Sequence, residues 1–168
     1  MALIGNHSIN HRVPVDSKLK HLQFPAAITF TETDYSLKKN FGSDSWTINA
    51  GQVLSEMLKH IDIKHQGSDN HIILKDLRIL SFRKGLFQWS AHEIESGINY
   101  ELINNNTLVS AGMISGPGKG SGLEFGLMTF IPIIGNMNFD KGIEMALHRS
   151  LEMCLVKLLE EIHKNLIS

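Results

Sequence analysis

Residues 98–120 carry the clearest β-hairpin pattern of the chain, INYELINNNTLVSAGMISGPGKG. Ile98, Tyr100 and Leu102 alternate with polar residues, which is the period of a half-buried strand. The three asparagines at 104–106 then predict a tight turn, because asparagine tolerates the left-handed conformations that such turns need. The pattern predicts a strand over 86–103, in which Ile94 shares the face of Ile98, and a returning strand over 107–115.

The glycine-dense segment GPGKGSG at 116–122 follows this hairpin. A phosphate-binding loop would require a Ser or Thr directly after its lysine, but Lys119 is followed by Gly120. The segment is therefore predicted to be a mobile connection between the last strand and the last helix.

The rest of the chain predicts a strand, a helix and a further strand before this hairpin, and a final helix after it. A strand is expected over 26–33 and a polar loop over 34–45. Asn49 and Gln52 have capping-box spacing, and Val53, Leu54, Met57, Leu58 and Ile61 follow at helical spacing. A further strand over 72–82 is expected to place Ile73, Leu77 and Ile79 on one face. The final helix is expected to begin at Asp140 and to bury Ile143, Leu147, Leu151, Cys154 or Leu155, Leu158, Ile162 and Leu166.

These elements predict an α+β fold with two layers and the order β-α-β-β-β-α. Each helix has one apolar face, which favours a roughly four-stranded sheet with both helices packed on one side. Residues 1–23 are polar and aperiodic and are predicted to be an extended leader. Residues 24–168 are predicted to form a single domain, which is an ordinary size for one hydrophobic core.

The composition and the motifs favour no catalytic, cofactor or metal site. The 16 Lys and Arg nearly balance the 17 Asp and Glu, so the chain lacks the basic field that nucleic-acid binding needs. The nine histidines form no metal-ligand spacing and are interpreted as surface residues. Catalytic-nucleophile signatures are absent, and Cys154 is interpreted as a small core residue.

The segment LMTFIPIIGNM at 127–137 has no charge in eleven residues and is too short to span a bilayer. It predicts either an edge strand or loop buried in the core, or an exposed apolar surface for a protein partner or a membrane interface. Under the second interpretation the contact residues are Phe130, Ile131, Ile133 and Ile134. Pro132 is expected to keep the segment out of a helix or a central strand.

The series WTINAGQVLSEMLKHI (46–61), INYELINNNTLVSAGMISGPGKG (98–120) and FDKGIEMALHRSLEMCLVKLLEEI (139–162) resembles small bacterial envelope lipoproteins. The resemblance covers roughly residues 25–165, and it extends to the N-terminal domain of the Tol-system propeller protein and to the curli-secretion lipoprotein. It implies no enzyme activity and no catalytic residues. Because no lipobox cysteine precedes residue 25, the resemblance implies the periplasm or outer membrane if a signal segment has been removed, and otherwise the cytoplasm.

The leading hypothesis is a non-enzymatic envelope protein that acts by binding a protein partner or by self-association, in assembly, secretion or maintenance of the outer membrane or cell wall. One alternative is a small-ligand-binding protein or small enzyme with a pocket between sheet and helices, lined by Trp89 and Tyr100. A second alternative is a cytoplasmic structural subunit.

Overall fold

A computed structural model describes residues 6–9, 18–42, 44–63, 69–87, 90–126 and 132–167. Within these ranges the chain forms two α-helices, α1 (Ala50–Leu58) and α2 (Pro132–Ile167), and two short 3-10 turns at Lys18–His21 and Gly122–Phe125. The strands are β1 (Asn6–Ile9), β2 (Gln23–Phe24), β3 (Ala27–Phe30), β4 (Leu37–Phe41), β5 (Asp44–Ile48), β6 (Asp62–Ile63), β7 (Asn70–Arg83), β8 (Ala91–Asn104) and β9 (Thr107–Ser121).

The main sheet has four strands in the order β3-β7-β8-β9. β3 runs parallel to β7, whereas β7, β8 and β9 form two consecutive antiparallel hairpins. Apolar residues of both helices share one buried core with the sheet. The α+β fold, with a four-stranded sheet and two helices, is therefore confirmed.

Two small sheets accompany the main sheet, with the orders β1-β5-β4 and β2-β6. β4 lies within the segment that was predicted to be a polar loop, so that prediction is wrong. Ile9 and Leu19, which belong to the predicted leader, are fully buried in the core. The placing of the domain boundary at residue 24 stays a prediction.

The asparagine turn forms as predicted. Asn105 and Asn106 both adopt left-handed backbone conformations, with φ of 49° and 60°. Such a pair matches the right-handed twist of the flanking strands, which explains why the hairpin connection is tight. The inward phase of β8 is also confirmed, because Ile94, Ile98 and Leu102 are buried.

The phase of β7 differs from its prediction in the first half of the strand. Leu77 is buried and Ile79 packs against the core, so these two share a face as predicted. Ile72 and Leu74 are buried in place of Ile73, which is only partly covered. The register against β8 shifts between Lys75 and Arg78. Asp76, with a φ of 51°, is the residue of this bulge. The extra residue reverses the alternation, so that Leu77 faces the same side as Leu74.

The predicted mobile connection at 116–122 is wrong, because β9 continues to Ser121. Gly116, Gly118 and Gly120 are buried and face α2. A Cβ added to Gly118 would overlap the carbonyl oxygen of Ala146, and one added to Gly116 would lie 2.5 Å from that of Ser150. These glycines let the backbones of β9 and α2 approach more closely than any side chain would permit.

The helix starts also differ from expectation. α2 begins at Pro132 rather than at Asp140, because proline suits the first helical position, where the missing N–H costs nothing. The predicted apolar stripe of α2 is confirmed from Ile143 to Ile162. At α1, Asn49 makes no side-chain capping bond, so the predicted capping box with Gln52 does not form. The Asn49 amide instead donates to Ser8 Oγ at 3.3 Å.

Candidate interaction surface

The predicted contact residues fall largely outside what the structure describes. Phe130 and Ile131 lie outside the described residues. Ile133 and Ile134 lie in the first turn of α2, and their side chains are not described. Their role as contact residues stays a prediction, whereas the expectation that Pro132 keeps this segment out of a helix is wrong.

The predicted pocket between sheet and helices is not formed at Tyr100. This side chain is buried, and its hydroxyl lies 3.0 Å from Ser110 Oγ. The apolar gap between Tyr100 and α2, which Cys154 and Leu158 also line, has no room for a water molecule. Trp89, the other predicted lining residue, lies outside the described residues.

The hydrogen bonds of Ser150, a buried serine of α2, show which backbone groups of β9 point toward β8. Ser96 of β8 is paired with Gly116 of β9. Ser150 Oγ accepts a 2.8 Å hydrogen bond from the Ser96 N–H and donates a 2.6 Å hydrogen bond to Gly116 O. The backbone groups of Gly116 therefore point toward β8. Because backbone direction alternates along a strand, those of Ser115, Pro117 and Lys119 point away from β8, at the edge of the sheet.

Side chains of α2 cover this edge between Ser115 and Ser121, here called the capped half of β9. Lys157 Nζ donates to Ser115 O at 2.7 Å, and Arg149 Nη1 donates to Lys119 O at the same distance. Pro117, between them, has no N–H to offer. Charged side chains and proline are the usual means by which proteins prevent strands from adding to an edge.

The other half of the strand, Thr107–Ile114, is here called the open half of β9. By the same alternation, Ala111 and Met113 point their backbone groups away from β8. Within the described residues, no side chain caps these groups. The open half carries no charge, and Leu108, Val109 and Met113 are 57%, 43% and 55% exposed. It is an exposed, apolar sheet edge.

The apolar surface continues from the open half across the face of the sheet that points away from α2. Leu80 of β7 is 46% exposed. A Cβ added to Gly97 of β8 would overlap Met113 Cε and would lie 3.0 Å from Leu80 Cδ1. Leu80 and Met113 therefore meet above Gly97, where the missing side chain lets both lie flat on the sheet.

The chemistry-bearing side chains near the core have structural roles. Cys154 is buried, its Sγ lies 3.4 Å from Ser96 O, and burial raises the pKa of its thiol to about 12. A thiol with so high a pKa is a poor nucleophile at neutral pH. The Ser96 and Ser150 hydroxyls lie 2.8 Å apart, and no histidine appears among the hydrogen-bond partners described for either serine. Among the described residues, no three His, Cys, Asp or Glu side chains cluster so as to hold a metal ion.

The expectation that the histidines lie on the surface is wrong for two of them, His92 and His148, which are both buried. His92 Nδ1 accepts the Gly85 N–H at 3.1 Å. Burial, together with the nearby Lys84, lowers the pKa of His92 to about 4. His92 is therefore neutral at physiological pH.

A cluster of polar and aromatic side chains joins the β1-β5-β4 sheet to α2. No signal in the sequence indicates this cluster. Asp140, predicted to start α2, lies within that helix and accepts a 3.1 Å hydrogen bond from Trp46 Nε1. His7 Nδ1 lies 2.8 Å from the other oxygen of Asp140, and the His7 ring stacks on Trp46. Lys84 Nζ lies 4.6 Å from the ring centre of Trp46 and 5.4 Å from that of Phe139. These contacts fasten β1 and β5 to α2, and they join residues up to 133 positions apart.

Of the comparisons with known proteins, only the comparison with solved structures gives matches to this chain. No family model and no curated protein matches the chain. A Xanthomonas campestris protein of the family DUF330 matches with a TM-score of 0.47 and 11% identity, covering 98% of this chain and 99% of its own. A candidate lipoprotein from Caulobacter crescentus matches with a TM-score of 0.37 and 15% identity, over 68% of this chain and 81% of its own. A minor lipoprotein from Acinetobacter baumannii matches with a TM-score of 0.36 and 6% identity, over 69% and 84%.

Similarities of this size assign neither a function nor a location to this chain. The Tol propeller domain and the curli-secretion lipoprotein are not among these three proteins, so that part of the resemblance stays a prediction. Among the described residues, no helix combines the length and the apolar character needed to cross a membrane.

Proposed function

We propose that this chain is a non-enzymatic protein of the bacterial cell envelope that binds another protein chain at the open half of β9. The proposed role is in assembly, secretion or maintenance of the outer membrane or cell wall. The observation that carries the binding proposal is the contrast within β9, where α2 caps one half of the strand, whereas no side chain of the described residues caps the other half.

Strand addition is the mode of binding that fits this edge. Backbone N–H and C=O groups gain stability from hydrogen-bonded partners when water is excluded. At Ala111 and Met113 these groups point outward, and an extended segment placed beside them would continue the ladder. The exposed side chains of Leu108 and Met113 would then provide the apolar contact area, and the lack of charge in the open half favours an equally uncharged partner strand.

A site-specific photo-cross-linker tests the binding proposal. A benzophenone amino acid at Met113 is expected to give a cross-linked adduct in cells, because Met113 would lie inside the contact. The same group at Leu86, which is 88% exposed in the β7–β8 loop, is the matched control and is expected to give little adduct. The absence of an adduct from position 113, or equal adducts from 113 and 86, would overturn the proposal.

The envelope location rests on the sequence resemblance and has its own test. Cells that express the protein from its own gene are expected to contain it in the envelope fraction. Recovery in the cytoplasmic fraction alone would contradict the envelope location. It would not affect the binding proposal, which the cross-linking experiment tests separately.

A polar cleft favours a second candidate function, the binding of a small polar ligand. This cleft, of about 370 Å³, is lined by Asp69, Asn70, His71, Asn105 and Asn106, together with Ala27. Amide and carboxylate side chains of this kind can hydrogen-bond to hydroxyl-rich ligands. A thermal-shift screen with saccharides tests this candidate: a stabilisation that Asn70→Ala removes would support it, and no shift would count against it.

A further inference from the structure

We infer that the chain that occupies the open half of β9 is a second copy of this protein, paired antiparallel to the first about a two-fold axis at Gly112. This inference rests on the proposed function, because it names the partner of the same edge. The pairing would join two four-stranded sheets into one sheet of eight strands.

The register follows from which outward backbone groups of β9 have no bonding partner within the described part of the chain. The β8–β9 register skips Val109, which lies in a bulge between Leu108 and Ser110. The carbonyl of Ser115, at the other end, is already bonded to Lys157. Ala111 and Met113 are the two regular outward positions between these limits. An axis at Gly112 places Ala111 opposite Met113 of the second copy, and each such pair exchanges two hydrogen bonds, which gives about four across the axis.

The side chains are compatible with this register. It sets residues 107–117 of one copy against residues 117–107 of the other, and this range holds no charge. Like charges therefore never oppose each other, which is the usual obstacle to self-pairing. Gly112 of one copy lies opposite Gly112 of the other, so no two side chains meet on that face at the axis. Met113 lies beside Ala111 of the second copy, so the exposed thioether gains an apolar neighbour.

The symmetry of the contact also explains why it would stop at two copies. A two-fold contact uses the same surface on both chains and leaves no further copy of that surface free. A strand of an unrelated protein could also pair with this edge. Its sequence, however, is not constrained to be free of charge over the length that pairs with residues 107–117, whereas a second copy is uncharged there by identity. The self-complementary, charge-free range around Gly112 therefore favours a second copy.

Sedimentation velocity of the full chain over a range of concentrations tests the inference. The wild-type chain is expected to show a reversible monomer–dimer equilibrium. Met113→Lys places two ammonium groups close to the axis, and it is expected to lower the association constant by at least about tenfold with little change in melting temperature. The matched control Leu86→Lys adds the same charge at an exposed apolar position away from β9, and it is expected to dimerise like the wild type.

A disulfide experiment tests the register itself. A hydrogen-bonded antiparallel pair has Cα atoms about 5.5 Å apart, which a disulfide can bridge. A mixture of Ala111→Cys and Met113→Cys chains is therefore expected to form mixed disulfide dimers in preference to either homodimer. Like positions would lie about 8 Å apart across this axis, too far for a disulfide. The native Cys154 is buried, so the wild-type chain is the negative control.

Three results would overturn the inference: a monomer at every concentration, a dimer that Met113→Lys leaves intact, or a preference for homodisulfides. The cross-linking experiment at Met113 separates this failure from failure of the proposed function. An adduct whose mass differs from twice that of the chain would keep the proposed function and overturn the second copy as partner. No adduct would overturn both.

Discussion

The two halves of β9 differ in what covers them, although they belong to one strand. In the capped half, glycines at every second position admit the backbone of α2, and Lys157 and Arg149 cap the edge carbonyls. In the open half, no side chain of the described residues caps the edge, and Leu108 and Met113 are more than half exposed. The difference shows how one strand can hold a helix on its sheet at one end and offer an edge to a partner at the other.

The largest expected effect concerns the glycines of the capped half. Gly118→Ala is expected to destabilise the protein by more than about 3 kcal/mol or to prevent folding, because the new methyl group would overlap backbone atoms of Ala146 and Ser150. Gly112→Ala, on the same face of the open half, is the matched control. Its methyl group would lie 3.3 Å from the Tyr100 ring, a contact that a small shift relieves, so a loss within about 1 kcal/mol is expected.

Urea denaturation of the two variants, at a concentration low enough for the chain to be monomeric, measures this difference. Similar free energies of unfolding for Gly118→Ala and Gly112→Ala would show that the halves of β9 do not differ in how tightly they pack. The comparison on which the proposals rest would then fail.

The next effect is a pH dependence from His92, which is paired with Gly120 in the capped half. The folded protein holds the pKa of His92 at about 4, below its ordinary value of 6.5. Between these values the unfolded chain binds the proton and the folded chain does not, so stability falls as the pH falls from about 6.5 to 4. The full difference corresponds to about 3 kcal/mol.

Denaturation at pH 7 and at pH 4.5 measures this loss, with His60→Gln as the control at an exposed position. His92→Gln is expected to reduce the pH dependence, whereas His60→Gln is expected to leave it unchanged. If the His92 variant keeps the full slope, the titrating group lies elsewhere.

The smallest effect concerns the edge caps. Lys157→Met keeps an apolar stem of similar length but removes the hydrogen bond to Ser115 O. It is expected to cost less than about 1 kcal/mol, because the exposed bond exchanges readily with water. Removal of the cap lengthens the bare edge, so the association constant from sedimentation is expected to rise. Lys164→Met, which removes a lysine farther along α2, is expected to leave association unchanged, and an equal rise in both variants would point to a general charge effect.

Local patterns in the sequence were enough to predict the asparagine turn, the inward phase of β8 and the apolar stripe of α2. Each depends on residues close together in the chain, where period and turn chemistry decide the structure. The bulge at Asp76 could not be predicted, because one extra residue in β7 is defined only by its pairing with β8.

The glycines at 116, 118 and 120 carry a signal that is compatible with two structures. Their spacing of two is the period of one face of a strand, but glycine is also typical of mobile connections. The distant backbone of α2 at Gly142–Ser150 decides between the two, and sequence alone does not show that it lies against β9. The same holds for the contact of Trp46 with Asp140 and for the cap of Lys157 on Ser115, which join residues 94 and 42 positions apart.

Residue-resolved amide hydrogen exchange at low and high protein concentration tests the central claim most directly. The amides of Ala111 and Met113 are expected to exchange rapidly in dilute solution and to become protected as the concentration rises, because pairing with a second copy buries them. The outward amide of Lys119, in the capped half of the same strand, is expected to show no dependence on concentration. Protection that rises equally at Lys119, or that does not rise at Ala111 and Met113, would contradict the claim that the open half of β9 is the binding edge.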